Sequence, residues 1–211
     1  MNENKPNLHL QIAENGKILA LKADHKEALR HYKEAMRMCQ TVENSEVFLQ
    51  HYSLCAMESL ELMEAHAEVI TFCDKSIDFL TPKKADRTDD WFRKNLASLW
   101  ERKAIQHIYL DENAEAIEAF KEAIDAAIHM PMPLSKELLN WLKRGYAITP
   151  KKMRDLQNRH HYFTVRKENV NEKIAVQLPE MINPFLGLEN SLESSSKTSR
   201  SSLSSTSKVR S

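Results

Sequence analysis

The chain has 211 residues, and its thirty basic and thirty acidic side chains give a formal net charge of zero. That balance argues against a protein that binds nucleic acid or a membrane surface over its whole length. A hydrophobic fraction of 42% is enough for a core, whereas 3 Gly and 7 Pro are too few for the tight turns of a sheet-rich protein or a phosphate-binding loop. We therefore expect an all-α fold.

The three cysteines, Cys39, Cys55 and Cys73, are widely spaced, and each lies within a helical pattern. This arrangement predicts free, buried thiols in a reducing compartment and not a disulfide framework. Residues 1–7 are polar with no apolar segment behind them, so no signal peptide is expected. No run approaches the roughly 18 apolar residues of a membrane span. We expect a soluble, cytoplasmic protein without membrane contact.

Between Leu8 and Ile174 the apolar residues recur at intervals of three and four, which is the helical period. The expected helices extend, in chain order, over about 8–21, 24–36, 45–62, 69–80, 90–110, 114–128, 135–145 and 150–174. Asp24, Asn44 or Ser45, and Ser135 are candidate N-caps. Thr149 followed by Pro150 is a further helix-start signal.

Three consecutive helix pairs share one packing pattern. In the second helix of a pair, a small or branched residue is followed by an aromatic residue or Cys four positions later and a small residue three further on. A small residue twelve positions before this anchor allows the first helix to approach closely. The residues expected to pack the repeat are Gly16, Ala28, Tyr32, Ala35, Trp100, Ala104, Ala116, Phe120 and Ala123. The middle pair, anchored at Val69, fits the pattern less well.

This pattern resembles the tetratricopeptide repeat (TPR) family over about residues 8–130, although the anchors are 41 and 47 residues apart and not 34. The resemblance implies helical hairpins stacked into a superhelix, covered by C-terminal capping helices. On this interpretation residues 1–147 are the repeat domain and 148–178 a basic capping helix. Residues 179–211 are then a disordered Ser-rich tail, since eleven of the last twenty-one are Ser. An ordinary helical bundle with the same spacing is the alternative.

In TPR proteins the first helix of each hairpin lines a concave groove that binds a peptide or a helix. The resemblance places six residues in this groove, namely Lys17, His51, Glu58, Ser98, Arg102 and Tyr109. A subfamily that clamps the terminal carboxylate of chaperone tails is matched only at Arg102, so we do not expect that activity. For each groove residue the alternative is a solvated face that binds nothing.

No catalytic constellation is visible in the sequence. It has no His-Glu-x-x-His, no Cys-x-x-Cys and no glycine-rich phosphate loop, so we expect no metal, cofactor or catalytic residue. The adjacent His160 and His161 cannot point the same way on a helix. Asp89 and Asp90 indicate a helix start and not an acid–base pair.

Positive charge is concentrated near the C-terminus, where residues 151–173 carry seven Lys or Arg against three acids. Such a stretch could contact RNA, DNA or an acidic protein, or it could be only the solvated face of a terminal helix. The leading prediction is a non-catalytic adaptor or scaffold that binds a peptide or helix of a partner protein in the groove. The alternatives are a nucleic-acid-associated protein that uses the basic helix, and a structural subunit whose groove is filled by its own 150–174 helix or a second copy.

Overall fold

A computed structural model describes residues 7–40, 45–81 and 89–178, and in these ranges the regular structure is helical, without strands. Its α-helices there are α1 Leu8–Leu21, α2 His25–Cys39, α3 Glu46–Leu62, α4 His66–Leu80, α5 Asp90–Tyr109, α6 Asn113–Ala127, α7 Pro133–Lys143 and α8 Pro150–Arg159. The all-α prediction is confirmed. The tail expected at 179–211 lies outside the described residues.

Three of the helix starts follow from local capping. Asp24, Asp89 and Thr149 each accept a hydrogen bond from the backbone N–H three residues later, at 3.3, 2.9 and 3.3 Å. Each bond satisfies a donor that has no partner inside the helix. The caps at Asp24 and Thr149 and the helix start at Asp89 are therefore confirmed.

The two serine caps are not formed as expected. Ser45 stands at the N-cap position of α3, but its side chain makes no capping bond. The expectation for Ser135 was wrong, because α7 begins earlier, at Pro133. The Ser135 hydroxyl instead donates to Glu101 Oε1 of α5 at 2.7 Å, a bond between helices.

The helices α1, α3 and α5 end in the same way, which gives three hairpins with one turn geometry. Ala23, Glu64 and Asp111 follow these helices in the left-handed conformation, with φ of 63°, 61° and 60°. The next backbone N–H donates to a carbonyl five residues earlier, in the pairs Asp24–Leu19, Ala65–Leu60 and Glu112–His107. This is the Schellman termination. The hairpins α1–α2, α3–α4 and α5–α6 therefore form a repeat-like all-α architecture.

The small and aromatic residues of the repeat pattern lie between the packed helices. Seven of them are fully shielded from solvent, namely Ala28, Tyr32, Ala35, Ala104, Ala116, Phe120 and Ala123. Trp100 is half-buried. A Cβ atom on Gly16 would lie 2.7 Å from Cε1 of Tyr32, closer than two carbon atoms can approach. Only glycine therefore lets α1 pack this closely on α2.

The predicted helix over 150–174 is wrong in its second half. The last helix, α8, ends at Arg159, and His161 turns the chain with φ of 53°. From residue 162 to residue 178, where the described part of the chain ends, the backbone is irregular apart from two short 3₁₀ turns, Lys167–Asn169 and Glu172–Ile174. The run Tyr-Phe-Thr-Val at 162–165 consists of aromatic and β-branched residues with low helix propensity. We call residues 161–177 the C-terminal segment.

The core extends along the hairpins and includes one residue of the C-terminal segment. Val165 packs in a cluster with Ala28, Tyr32, Cys55 and Ala56, which come from α2 and α3. The first hairpin and α3 are therefore sealed partly by residues from the far end of the chain. In the part of the chain that the structure describes, no helix has the length and apolarity needed to cross a bilayer.

Candidate functional site

The C-terminal segment lies along one face of α1, α3 and α5, the first helices of the three hairpins. Its contacts there are with Gln11, Glu14, Glu58, Glu61 and Arg102, and we call the surface formed by these residues the inner face. The segment runs antiparallel to α3, since it reaches Glu61 before Glu58. It also runs antiparallel to α1, since it reaches Glu14 before Gln11. The surface predicted to bind a partner is thus covered by the chain itself.

Glu58 binds the backbone of the segment. Its Oε2 accepts the N–H of Thr164 at 2.7 Å, and its Oε1 accepts the N–H of Val165 at 3.2 Å. The residue is only 3% exposed. Burial raises the pKa of Glu58 to about 7, although Arg102 and the two N–H groups act in the opposite direction. Because the bonds go to two consecutive N–H groups at a bend of the chain, this contact depends on the local backbone conformation and not on particular side chains.

Glu61 binds a side chain of the segment. Its Oε2 accepts the hydroxyl of Tyr162 and Nη1 of Arg102, both at 2.8 Å, and its Oε1 accepts Nε2 of Gln157 at 2.6 Å. The guanidinium of Arg102 lies 4.7 Å from the centroid of the Tyr162 ring, a cation–π contact. Burial raises the pKa of Tyr162 well above its usual value, so the phenol stays protonated and acts as a donor.

The far end of the segment is bound to α1. Glu14 Oε2 accepts the N–H of Asn171 at 2.8 Å, and the N–H of Val176 donates to the carbonyl of Gln11 at 3.0 Å. The other carboxylate oxygen of Glu14 pairs with Nζ of Lys17 at 2.7 Å. Acidic side chains of α1 and α3 therefore accept three backbone N–H groups of the segment.

Three of the six predicted groove residues lie on or beside the inner face. Lys17, Glu58 and Arg102 are buried, with 6%, 3% and 3% exposure. Glu58 and Arg102 contact the segment directly, while Lys17 contributes through its pair with Glu14. The structure thus brings these three together under the C-terminal segment.

The other three predicted groove residues contact neighbouring helical residues. Burial lowers the pKa of His51, and the charge of Lys17 acts in the same direction. The Ser98 hydroxyl donates to the carbonyl of Asn95 within α5 at 2.8 Å. The Tyr109 ring stacks on that of His66, with 4.6 Å between centroids.

Sequence reasoning missed the residues that complete the site, namely Glu14, Glu61, Tyr162, Thr164 and Val165. Two signals were present. Glu58 and Glu61 are three apart on α3 and therefore share a helix face. The Tyr-Phe-Thr-Val run is poor helix sequence and predicts an end of α8 before residue 162.

A cleft of about 500 Å³ opens beside the segment between α1, α3 and α8. It is lined by Glu58 together with Arg154, Phe163 and Arg166. The cleft borders the inner face beside Glu58, which itself stays buried.

Other reactive groups do not gather at this face. Burial raises the pKa of Cys55 and of Cys73 to about 12, which keeps both as unreactive thiols. Over residues 7–40, 45–81 and 89–178, no three His, Cys, Asp or Glu side chains are grouped so that they could hold a metal ion. The inner face binds the segment through hydrogen bonds to its backbone N–H groups and to the phenol of Tyr162.

Comparison with models of protein families, with curated proteins and with solved structures finds no match to this chain.

Proposed function

We propose that this protein is a non-catalytic, TPR-like adaptor that binds a non-helical segment of a partner protein on its inner face. The observation that carries the proposal is the pair of bonds from Glu58 to the N–H groups of Thr164 and Val165. A buried carboxylate aimed at two backbone donors is a peptide-binding device. In the free protein it holds the C-terminal segment.

The same geometry favours a partner segment with free backbone N–H groups over a helix bound along its length. In a helix the backbone N–H groups beyond the first turn are bonded internally and are not free to reach Glu58. The inner face binds backbone N–H groups of the segment at Thr164, Val165 and Asn171. The partner segment therefore binds this face through a stretch of chain that is not a regular helix.

The C-terminal segment is attached in a way that a partner segment can displace. Of residues 161–177, Val165 is buried and Tyr162 packs half-buried against a core cluster, while the other residues are half-exposed or exposed, so the segment adds only part of its apolar area to the core. Its attachment is mainly polar, and an incoming segment can replace each bond with an equivalent one. A structural element held permanently would bury more of its apolar side chains. We therefore propose that a partner competes with the C-terminal segment.

The test is to weaken the attachment of the C-terminal segment without changing the residues of the inner face. The full-length Thr164→Pro variant lacks one N–H donor to Glu58, whereas Thr164→Ala keeps it and serves as the matched control. Val165→Asp is a second variant, which places a carboxylate beside Glu58; Gln177→Asp adds the same charge at an exposed position of the segment.

Each protein is used to select binders from a displayed library of random peptides. The proposal predicts peptides that bind the two weakened variants better than their controls and are eluted by a synthetic peptide of residues 160–177. Thermal unfolding of each variant checks that it is folded. If the folded weakened variants enrich no peptide that the 160–177 peptide elutes, the proposed function is wrong.

A nucleic-acid function stays the alternative prediction. Several basic side chains of α8 are engaged within the protein: Lys152 over Trp141, Arg154 over Phe163 and Arg159 with Glu137. The alternative predicts binding to RNA or DNA that falls steeply with salt and is lost when Lys151, Lys152 and Arg154 are neutralised.

We further propose that the protein works in the cytoplasm. Its three cysteines are all free and buried, one on each of α2, α3 and α4. Free thiols in these positions fit a reducing compartment. Labelling of the protein in intact cells, compared with a secreted marker, would test the location.

A further inference from the structure

We propose that the inner face selects a partner segment that carries an unphosphorylated tyrosine. This tyrosine takes the place of Tyr162, two residues before the residue whose N–H binds Oε2 of Glu58. This inference rests on the proposed function, since it names the chemistry of the segment that competes for the same face. The inference comes from the contacts of Tyr162, which bind a side chain, whereas the contacts of Glu58 bind only the backbone.

The contacts around Tyr162 require both an aromatic ring and a hydroxyl group at the end of that ring. Glu61 is 2% exposed, and it accepts hydrogen bonds from Arg102, Gln157 and the phenol. A phenylalanine would fill the ring position but would leave a buried carboxylate short of one donor. Serine or threonine would place its hydroxyl close to its own backbone, and neither would give Arg102 a ring to lie over.

The spacing between the tyrosine and the backbone contact is fixed by α3. Glu58 and Glu61 are three residues apart, so their side chains project from one face of the helix. On the segment, Tyr162 meets Glu61 and Thr164 meets Glu58, two residues further along. A competing segment that adopts the same backbone conformation must therefore keep the separation of two residues to satisfy both carboxyl groups.

Phosphorylation of that tyrosine opposes binding. A phosphate adds a charge of about −1.5 to −2 at the position where the phenol donates to Glu61. Glu58 contributes a second carboxyl group close by, and the guanidinium of Arg102 is already paired with Glu61 at 2.8 Å. The face therefore places two carboxyl groups at this point, and its cation Arg102 is already paired, which is the opposite of a phosphotyrosine site.

The experiment measures binding in trans to the full-length protein with a weakened segment. Thr164→Pro and Val165→Asp are titrated against three fluorescent peptides of residues 160–177, carrying tyrosine, phenylalanine or phosphotyrosine at position 162. Thr164→Ala and Gln177→Asp are the matched controls. We expect the tyrosine peptide to bind the weakened variants more tightly than the controls. The phenylalanine peptide should bind roughly tenfold or more weakly, and the phosphopeptide roughly a hundredfold or more weakly.

The outcomes separate the two proposals. If the tyrosine peptide binds but the phenylalanine peptide or the phosphopeptide binds equally well, the selectivity for unmodified tyrosine is overturned while the proposed function stands. If neither weakened variant, shown to be folded, binds the tyrosine peptide, the proposed function fails and this inference fails with it.

A second measurement tests the selectivity without any added peptide. In the full-length Tyr162→Phe variant, the amide of Thr164 should exchange with deuterium roughly tenfold faster than in the wild-type protein. Phe163→Leu is the control, because it changes the neighbouring ring and keeps the phenol. Equal exchange in the wild-type protein and Tyr162→Phe would overturn the selectivity.

Discussion

Replacing Glu58 by glutamine should change how the stability of the protein depends on pH. Burial raises the pKa of the Glu58 carboxyl to about 7 from its ordinary value of 4.5. Between these two pH values the folded protein holds a proton that the unfolded chain releases. The contribution of Glu58 to stability is therefore fully present below about pH 4.5 and is lost as the pH rises to 7. Glutamine has no proton to release, so the variant lacks this dependence.

The size of the effect follows from the shift of the pKa. Each pKa unit corresponds to 1.36 kcal/mol, so the free energy of unfolding of the wild-type protein should fall by about 3 kcal/mol relative to the variant over this range. Glutamine keeps one acceptor oxygen for Thr164 but turns an amide donor toward the N–H of Val165. At acid pH the variant should therefore be less stable by about 1–3 kcal/mol. This deficit should shrink or reverse above pH 7.

The assay is urea unfolding at 25 °C, followed by tryptophan fluorescence, at several pH values from about 5 to 8. Glu122→Gln is the matched control, because Glu122 is exposed on α6. It should leave the pH dependence of the wild-type protein unchanged. If the difference in unfolding free energy between the wild-type protein and Glu58→Gln is the same at pH 5 and pH 8, Glu58 does not titrate as the structure implies.

Three further substitutions test the packing, the turns and the buried charges by the same urea assay. Gly16→Ala should cost about 1–3 kcal/mol, because its Cβ would lie 2.7 Å from a ring atom of the buried Tyr32. Ala23→Gly should stabilise the protein by about 0.5–1 kcal/mol, since φ of 63° favours glycine. Arg102→Ala should cost about 3–5 kcal/mol, because it leaves the buried Glu61 without its cation.

Each of these expectations has a result that would contradict it. An unchanged urea midpoint for Gly16→Ala would mean that α1 and α2 are not in such close contact. A loss of stability in Ala23→Gly would contradict the left-handed turn. Arg37→Ala is the control for Arg102→Ala, since Arg37 also pairs with a glutamate but is largely exposed. Equal losses in these two variants would show that the Arg102 pair is not buried.

The features that the sequence predicted correctly depend on interactions within a few residues. Asp24 and Thr149 cap their helices through the N–H three residues later, and the same hydrogen bond is found at Asp89. Gly16 and Tyr32 could be matched because the repeat pattern states which helix faces meet. Local chemistry and one repeated contact are therefore enough to predict the all-α class and most helix boundaries.

The features that were missed depend on partners distant in the sequence. Ser135 does not cap α7, and its hydroxyl instead donates a hydrogen bond to Glu101, which is 34 residues away in the sequence. The helix predicted over 150–174 has the right apolar period, but Thr164 and Val165 find a carboxylate more than 100 residues earlier. Hydrophobic periodicity carries no information about such a partner.

The sequence predicted which helix face forms the candidate site, but it did not predict what covers that face. The resemblance to TPR hairpins indicated which face of α1, α3 and α5 to consider, and Lys17, Glu58 and Arg102 do lie there. It did not indicate that the chain itself would cover this face. That result depends on the turn at His161, where the chain leaves α8 and returns across the first helices.

The most direct test of the account is amide hydrogen exchange of Thr164 and Val165 in the full-length protein, resolved by nuclear magnetic resonance. Neither residue lies in a helix, and their N–H groups bond to Glu58. The account predicts exchange at least roughly tenfold slower than in an unstructured peptide of the same sequence, and loss of this protection in Glu58→Ala. Exchange of both amides at the unstructured rate in the intact protein would contradict the claim that the C-terminal segment occupies the inner face.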